Sequence, residues 1–217
     1  MASGLTHTLD TEAPAYWHEA CSALIAVSPV WADLIRAYPE RALRSRGAPY
    51  ETMLRSLVGQ QISVKAADAV WARLADAMAG VITCESLLTL SDDTLRAAGL
   101  SRQKVAYARS LSEFDQAGDL KLTVLEAMDD ECCTRHLCQI KGIGPWTAQM
   151  FLIFCLRRPD VWPVDDIGVQ RGISRQFSGG QPIGPKEALQ FVEKLKPWRT
   201  VATWYLWRSL DPAVVDY

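Results

Sequence analysis

Arranged metal and thiol chemistry is what this sequence has least of. Its three histidines are scattered, and its six cysteines (Cys21, Cys84, Cys132, Cys133, Cys138 and Cys155) include no C-x-x-C pair. A small disulfide-stapled domain is thereby excluded, and free thiols in a reducing cytoplasm are expected. No secretory signal is expected either, because MASGLTHTLDTEAP has no basic start leading into an apolar run. The longest uncharged apolar stretch, Trp146 to Leu156, is too short to cross a bilayer. No charge excess announces a polyanion partner, since the formal net charge is −2. Strand signals are nearly absent as well.

What is present is helical punctuation. Val70, Leu74 and Met78 recur at i, i+4 and i+8 behind a capping Ser63. Ser91 opens SDDTLRAAG, which stops at Gly99, and Ser101 opens SRQKVAYARSLSEFDQAG, which stops at Gly118. Pro185 suits the first turn of a helix reaching about Leu195, and Pro197 suits the start of PWRTVATWYLWRSL. SGGQPIGP, Ser178 to Pro185, reads as a surface loop. The fold class is therefore all-α. With 49% hydrophobic residues, a chain of 217 residues can bury a core as one domain or two small ones.

The mild net charge hides an asymmetry. Between Arg171 and Arg208 seven basic residues stand against Glu187 and Glu193, whereas between Glu113 and Glu131 seven acids face only Lys121. Such a chain either carries two solvated faces of opposite sign or holds a polyanion on the basic one.

KGIGPWTAQM, Lys141 to Met150, interrupts two helical segments with two glycines and a proline. This is the layout of a helix-hairpin-helix, in which backbone N–H groups beside a helix N-terminus hold a phosphate with few lysines. The plainer alternative is a connection between packed helices, with Gly142 as a C-cap. Further on, Asp165 and Asp166 follow the apolar turn Trp162, Pro163 and Val164. Asp165 suits the N-cap of the next helix, and Asp166 suits either a first-turn acid or a carboxylate meeting developing positive charge. Successive helical side chains diverge, so only one of the pair can face a given pocket.

Three blocks in order, LVGQQISVKAA (Leu57 to Ala67), IKGIGPWTAQMFLIF with VWPVDDIGVQRG, and WRTVATWYLWR (Trp198 to Arg208), resemble the helix-hairpin-helix DNA glycosylases, most closely the alkyl-base branch of DNA-3-methyladenine glycosylase II type. The likeness runs from about Tyr50 to Trp207. It implies base flipping and hydrolysis of the glycosidic bond of 3-methyladenine- or 7-methylguanine-type lesions in double-stranded DNA, by a monomer. It also implies two helical subdomains with a cleft between them: 50–130 as one, and the N-terminal segment 1–49 packing on 131–217 as the other.

By position, the resemblance makes Asp166 catalytic and places Trp146, Trp207, Met150 and Ile167 at the base pocket. It puts Gln60 and Gln61 at the minor-groove wedge, where some relatives have an apolar residue instead. Gly142, Gly144 and Thr147 match phosphate contacts, and the carbonyls of Cys138, Ile140 and Ile143 match a site for a structural Na+ or K+. No cofactor is required. Trp71 and Trp31 read as core, and the Cys132, Cys133 and His136 group lacks a fourth metal ligand and reads as structural. Bifunctional relatives place a Schiff-base lysine two residues after the second hairpin glycine. Here that residue is Trp146, so no lyase activity is expected. Iron–sulfur relatives need four closely spaced C-terminal cysteines, and none follows Cys155. The remaining alternatives are a glycosylase for another base lesion or mismatch and a non-enzymatic DNA-docking module.

Overall fold

The computed structural model describes residues 13–39, 43 and 48–210. Among these, every regular element is helical. Short hydroxyl side chains start five of the helices: Ser28, Ser63, Thr83, Ser91 and Ser101 each accept a backbone N–H two or three residues ahead, from Val30, Ala66, Ser86, Thr94 and Lys104. This satisfies one of the orphan donors of each first turn. The three serine starts read from the sequence, Ser63, Ser91 and Ser101, stand as expected.

The chain forms two compact units. Counting described residues, one spans 48–151. It contains α3 (Pro49–Gly59), α4 (Val64–Ala77), α5 (Cys84–Thr89), α6 (Asp92–Ala97), α7 (Arg102–Gln116), α8 (Leu122–Glu126) and α9 (Asp130–Leu137), and most of α10 (Pro145–Phe154). Helix α7 is its centre, packed against α3, α5 and α6. Leu54, Leu57, Leu87, Leu95 and Leu111 fill the core, and the buried Tyr50 hydroxyl pairs with Ser112 Oγ at 2.7 Å.

The other unit joins 13–39 and 43 to 152–210. It holds α1 (Trp17–Val27), α2 (Pro29–Ala37), α11 (Ile167–Phe177), α12 (Pro185–Val192) with a 3-10 turn (Glu193–Leu195), and α13 (Arg199–Leu210). Trp17 meets Trp204 edge-on at 5.3 Å, and Trp31 packs on Phe177 and Phe191. Helix α13 is buried on nearly every side, with Thr200, Thr203, Arg208 and Ser209 among its buried residues, because it is the axis of this unit. The Arg199 guanidinium grips Asp160 through Nε–Oδ1 at 2.6 Å and Nη2–Oδ2 at 2.9 Å, fixing the start of α13 to the loop between α10 and α11.

Three expectations shift. The division between units falls after Phe151 rather than near 130. The reason is local: His136 Nε2 lies 2.9 Å from the Asp119 carbonyl, Phe114 packs on the His136 ring, and the Lys141 N–H donates to Ser110 Oγ at 3.1 Å. These contacts bind the hairpin to α7. Helix α12 ends at Val192 and tightens into the 3-10 turn before Leu195. Pro197 lies outside α13, which starts at Arg199.

Candidate active site and nucleic-acid interface

Helix α9 stops at Leu137, and the chain turns through Lys141 and Gly142 before α10 starts at Pro145. Gly142 has φ +87°, and a Cβ there would lie 2.3 Å from the Tyr107 ring. Its glycine thus answers two demands, a left-handed backbone and a ring packed flat against it. Gly144 differs: its φ is not positive, and a Cβ would meet nothing within 4 Å. Its carbonyl accepts the Ala148 N–H at 3.0 Å, so Gly144 stands at the mouth of α10, in open space. An exposed helix N-terminus with room for a close ligand is the geometry an oxyanion needs. Thr147, the third residue matched to phosphate, is largely buried.

The turn between α3 and α4 lies in the same unit. Gln60 and Gln61 part company there. The Gln60 side chain turns back and donates from Nε2 to the Gly142 carbonyl at 3.0 Å. Gln61 is exposed and has a left-handed backbone at φ +59°. Exposed apolar residues flank it, Ile62 and Val64, the latter 79% accessible.

In the other unit the two aspartates are assigned the reverse way from the capping expectation. Asp166, not Asp165, caps α11, accepting the Val169 N–H on Oδ1 at 2.8 Å. The cause is a tight turn in which the Asp166 N–H bonds the Pro163 carbonyl, leaving Asp166 extended and Asp165 exposed. The same Oδ1 accepts the indole N–H of Trp207 at 2.9 Å. Trp207 is itself stacked on Phe154, with ring centres 5.9 Å apart and planes 10° apart. Two glycines make room for this arrangement. A Cβ on Gly168 would stand 3.0 Å from Asp166 Oδ1 and 3.1 Å from Trp207, and one on Gly172 would stand 2.9 Å from Leu206 Cβ.

The remaining positions divide by exposure. Trp146 and Ile167 are open to solvent, at 38% and 62% accessible, whereas Met150 is buried. Trp31 is fully buried as expected, while Trp71 is half-exposed with the Arg55 guanidinium over its ring. Among the described residues no cluster of three or more His, Cys, Asp or Glu could hold a metal. The carbonyls of Cys138, Ile140 and Ile143 are neutral oxygens at the end of α9, a donor type that suits a hard monovalent cation, and that of Ile140 also accepts the Ile143 N–H at 3.1 Å. Sequence reasoning missed three participants: Lys104, whose Nζ donates to the Val58 and Gln60 carbonyls at 2.7 Å each, Tyr107 against Gly142, and the Trp207–Asp166 bond. All three are pairings between distant segments, and no local pattern signals them.

Known proteins resemble this chain in sequence and in fold. DNA-3-methyladenine glycosylase 1 of Schizosaccharomyces pombe is 33% identical over 176 residues, covering 79% of this chain and 76% of that protein. A solved DNA-3-methyladenine glycosidase from Bacillus halodurans superposes with a TM-score of 0.82 at 34% identity, covering 88% of each chain. The Schizosaccharomyces pombe 3-methyladenine DNA glycosylase Mag1, solved in complex with abasic DNA, superposes with a TM-score of 0.75 at 31% identity, over 88% of this chain and 96% of that one. The family described as HhH-GPD superfamily base excision DNA repair protein matches residues 54–197. The chain belongs to the HhH-GPD superfamily of base excision DNA repair proteins.

Proposed function

We propose that this chain is a DNA-3-methyladenine glycosylase II-like hydrolase, which removes alkylated purines from double-stranded DNA and leaves an abasic site. The observation that carries the reading is the carboxylate of Asp166, held on one oxygen by two N–H donors, Val169 and Trp207, at the start of α11. A purine alkylated at N3 or N7 is already cationic and leaves without a strong general acid. The group the reaction needs is a fixed negative charge that stabilises the oxocarbenium-like sugar or orients the attacking water. Asp166 supplies that charge, and its fixed orientation avoids reorganisation in the transition state.

The hairpin, Gly142 to Thr147, holds a phosphate through backbone N–H groups at the mouth of α10, and the Gly144 clearance admits it. By the resemblance, Trp146 and Met150 in one unit, and Trp207 and Ile167 in the other, are base-pocket positions, and an electron-rich indole ring favours a cationic base. A Na+ or K+ held by Cys138, Ile140 and Ile143 would add positive charge beside that phosphate. The reaction asks for no co-substrate but water. Lyase chemistry is not expected, because Trp146 stands at the lysine position of bifunctional relatives. The protein acts as a monomer in the cytoplasm.

The test is to incubate the protein with methylated duplex DNA and identify the released bases. Free 3-methyladenine or 7-methylguanine, with no adduct trapped by borohydride, supports the reading. DNA that stays intact would overturn it in favour of a docking module.

A further inference from the structure

One face of α7 carries three residues at i, i+3 and i+6, of which the first holds the α3–α4 turn and the other two hold the hairpin. Lys104 Nζ donates to the carbonyls of Val58 and Gln60 at 2.7 Å each, closing the C-terminal end of α3. A cation there also meets the negative end of the α3 dipole. Tyr107 lays its ring against Gly142, and Ser110 Oγ accepts the Lys141 N–H at 3.1 Å. Gln60 then closes the circuit, from the carbonyl held by Lys104 to the Gly142 carbonyl at 3.0 Å. Gln61 is the next residue, exposed and left-handed at φ +59°, a conformation that persists only where its surroundings enforce it.

We propose that Lys104 and Gln60 are positioning residues, which set the offset between the Gln61 wedge and the phosphate-holding hairpin, with α7 as the common strut. The inference rests on the glycosylase reading above and deepens it. Opening a base stack is unfavourable, and a filler offsets that only if it arrives at a fixed distance from the phosphate the hairpin grips. A slack turn would still let the hairpin dock, but would not hold the stack open. The partly buried position of Lys104 lowers its amine pKa, which fits a donor turned onto carbonyls rather than toward solvent.

The test compares wild type with Lys104→Met, Lys104→Arg and Gln60→Leu. The ligands are an intact duplex and one containing a tetrahydrofuran abasic analogue beside 2-aminopurine, whose fluorescence rises when it unstacks. Lys104→Met is expected to keep intact-duplex affinity and its salt dependence, and Gln60→Leu is read by the ratio of its abasic to its intact affinity. Their preference for the abasic duplex should fall about tenfold or more, with the fluorescence rise lost, and Lys104→Arg should restore part of both. If Lys104→Met does not fold, Gln60→Leu decides, since it removes only the link to Gly142. The proposal is overturned if the folded variants keep abasic preference and fluorescence response. It is equally overturned if intact and abasic affinities fall in the same proportion. Release of methylated bases by wild type is scored separately, so failure of the glycosylase reading and failure of the strut are distinct results.

Discussion

The indole N–H of Trp207 and the backbone N–H of Val169 converge on the same oxygen of Asp166, at 2.9 and 2.8 Å. One carboxylate therefore serves both as the cap of α11 and as the candidate catalytic charge. The two roles can be separated by substitution, because asparagine caps a helix about as well as aspartate but carries no charge.

Asp166→Asn is expected to keep the cap and the melting temperature while lowering single-turnover base release by roughly 10²–10³-fold. Asp166→Ala should lose the cap as well, at a cost of about 0.5–2 kcal/mol. Asp165→Ala, exposed and outside the cap, should stay within about 0.5 kcal/mol of wild type and keep its activity. Denaturation midpoints beside release rates check all three. Normal release by Asp166→Asn would remove this residue from the chemistry.

Trp207→Phe keeps an aromatic ring beside Phe154 but removes the donor to Asp166. Hydrogen bonds to charged groups contribute about 1.5–3 kcal/mol. If that bond orients the carboxylate, release should fall about ten- to a hundredfold, with abasic-DNA affinity far less affected. A Trp207→Phe protein with a wild-type release rate would show that the indole N–H is dispensable.

The two hairpin glycines should respond oppositely to alanine. Gly142→Ala meets both the Tyr107 ring and a left-handed backbone, and should destabilise the fold by roughly 1–3 kcal/mol. Gly144→Ala has room within the protein and should leave stability unchanged. Its methyl group would instead intrude where a phosphate approaches, so DNA affinity should drop. Thermal melts and duplex binding curves distinguish the two outcomes.

Alkaline pH should weaken the fold. Burial, with Asp115 and Glu85 alongside, pushes the Cys84 thiol from its ordinary 9.0 up to about 12. Burial also raises Tyr16, Tyr50 and Tyr205. These groups stay protonated in the folded protein at a pH where the unfolded chain has begun to ionise. Their contribution is therefore complete below about pH 9 and lost progressively as pH rises through the folded values. Urea midpoints between pH 8 and 11 should fall, and Cys84→Ser should flatten part of that slope. A midpoint independent of pH would refute the assignment.

What the sequence made legible was what neighbouring residues decide. Ser63, Ser91 and Ser101 cap helices because a hydroxyl that accepts the backbone N–H three residues ahead suffices, whatever the tertiary setting. The turn at Gly142 was equally visible. Which of two adjacent aspartates caps α11 was not, because that depends on the Asp166–Pro163 turn, a matter of one residue of register. Gln60 and Gln61 look alike in sequence, yet one ties to Gly142 and the other points outward, since Lys104, 44 residues away from Gln60, holds the end of α3. The place where the units divide was hidden for the same reason: contacts of Ser110, Phe114 and Asp119 with the hairpin carry no local signature.

The spacing of Gly168 and Gly172, one turn apart on α11, also limits how this enzyme can diversify. A single added methyl at Gly168 would press on Asp166 and Trp207, and one at Gly172 on Leu206, so neither position accepts a side chain without movement of its neighbours. Ile167 and Asp165 are solvent-open and carry no such restriction. Side chains at the two exposed positions can therefore be exchanged without disturbing the carboxylate, whereas a methyl on either glycine must displace what supports it.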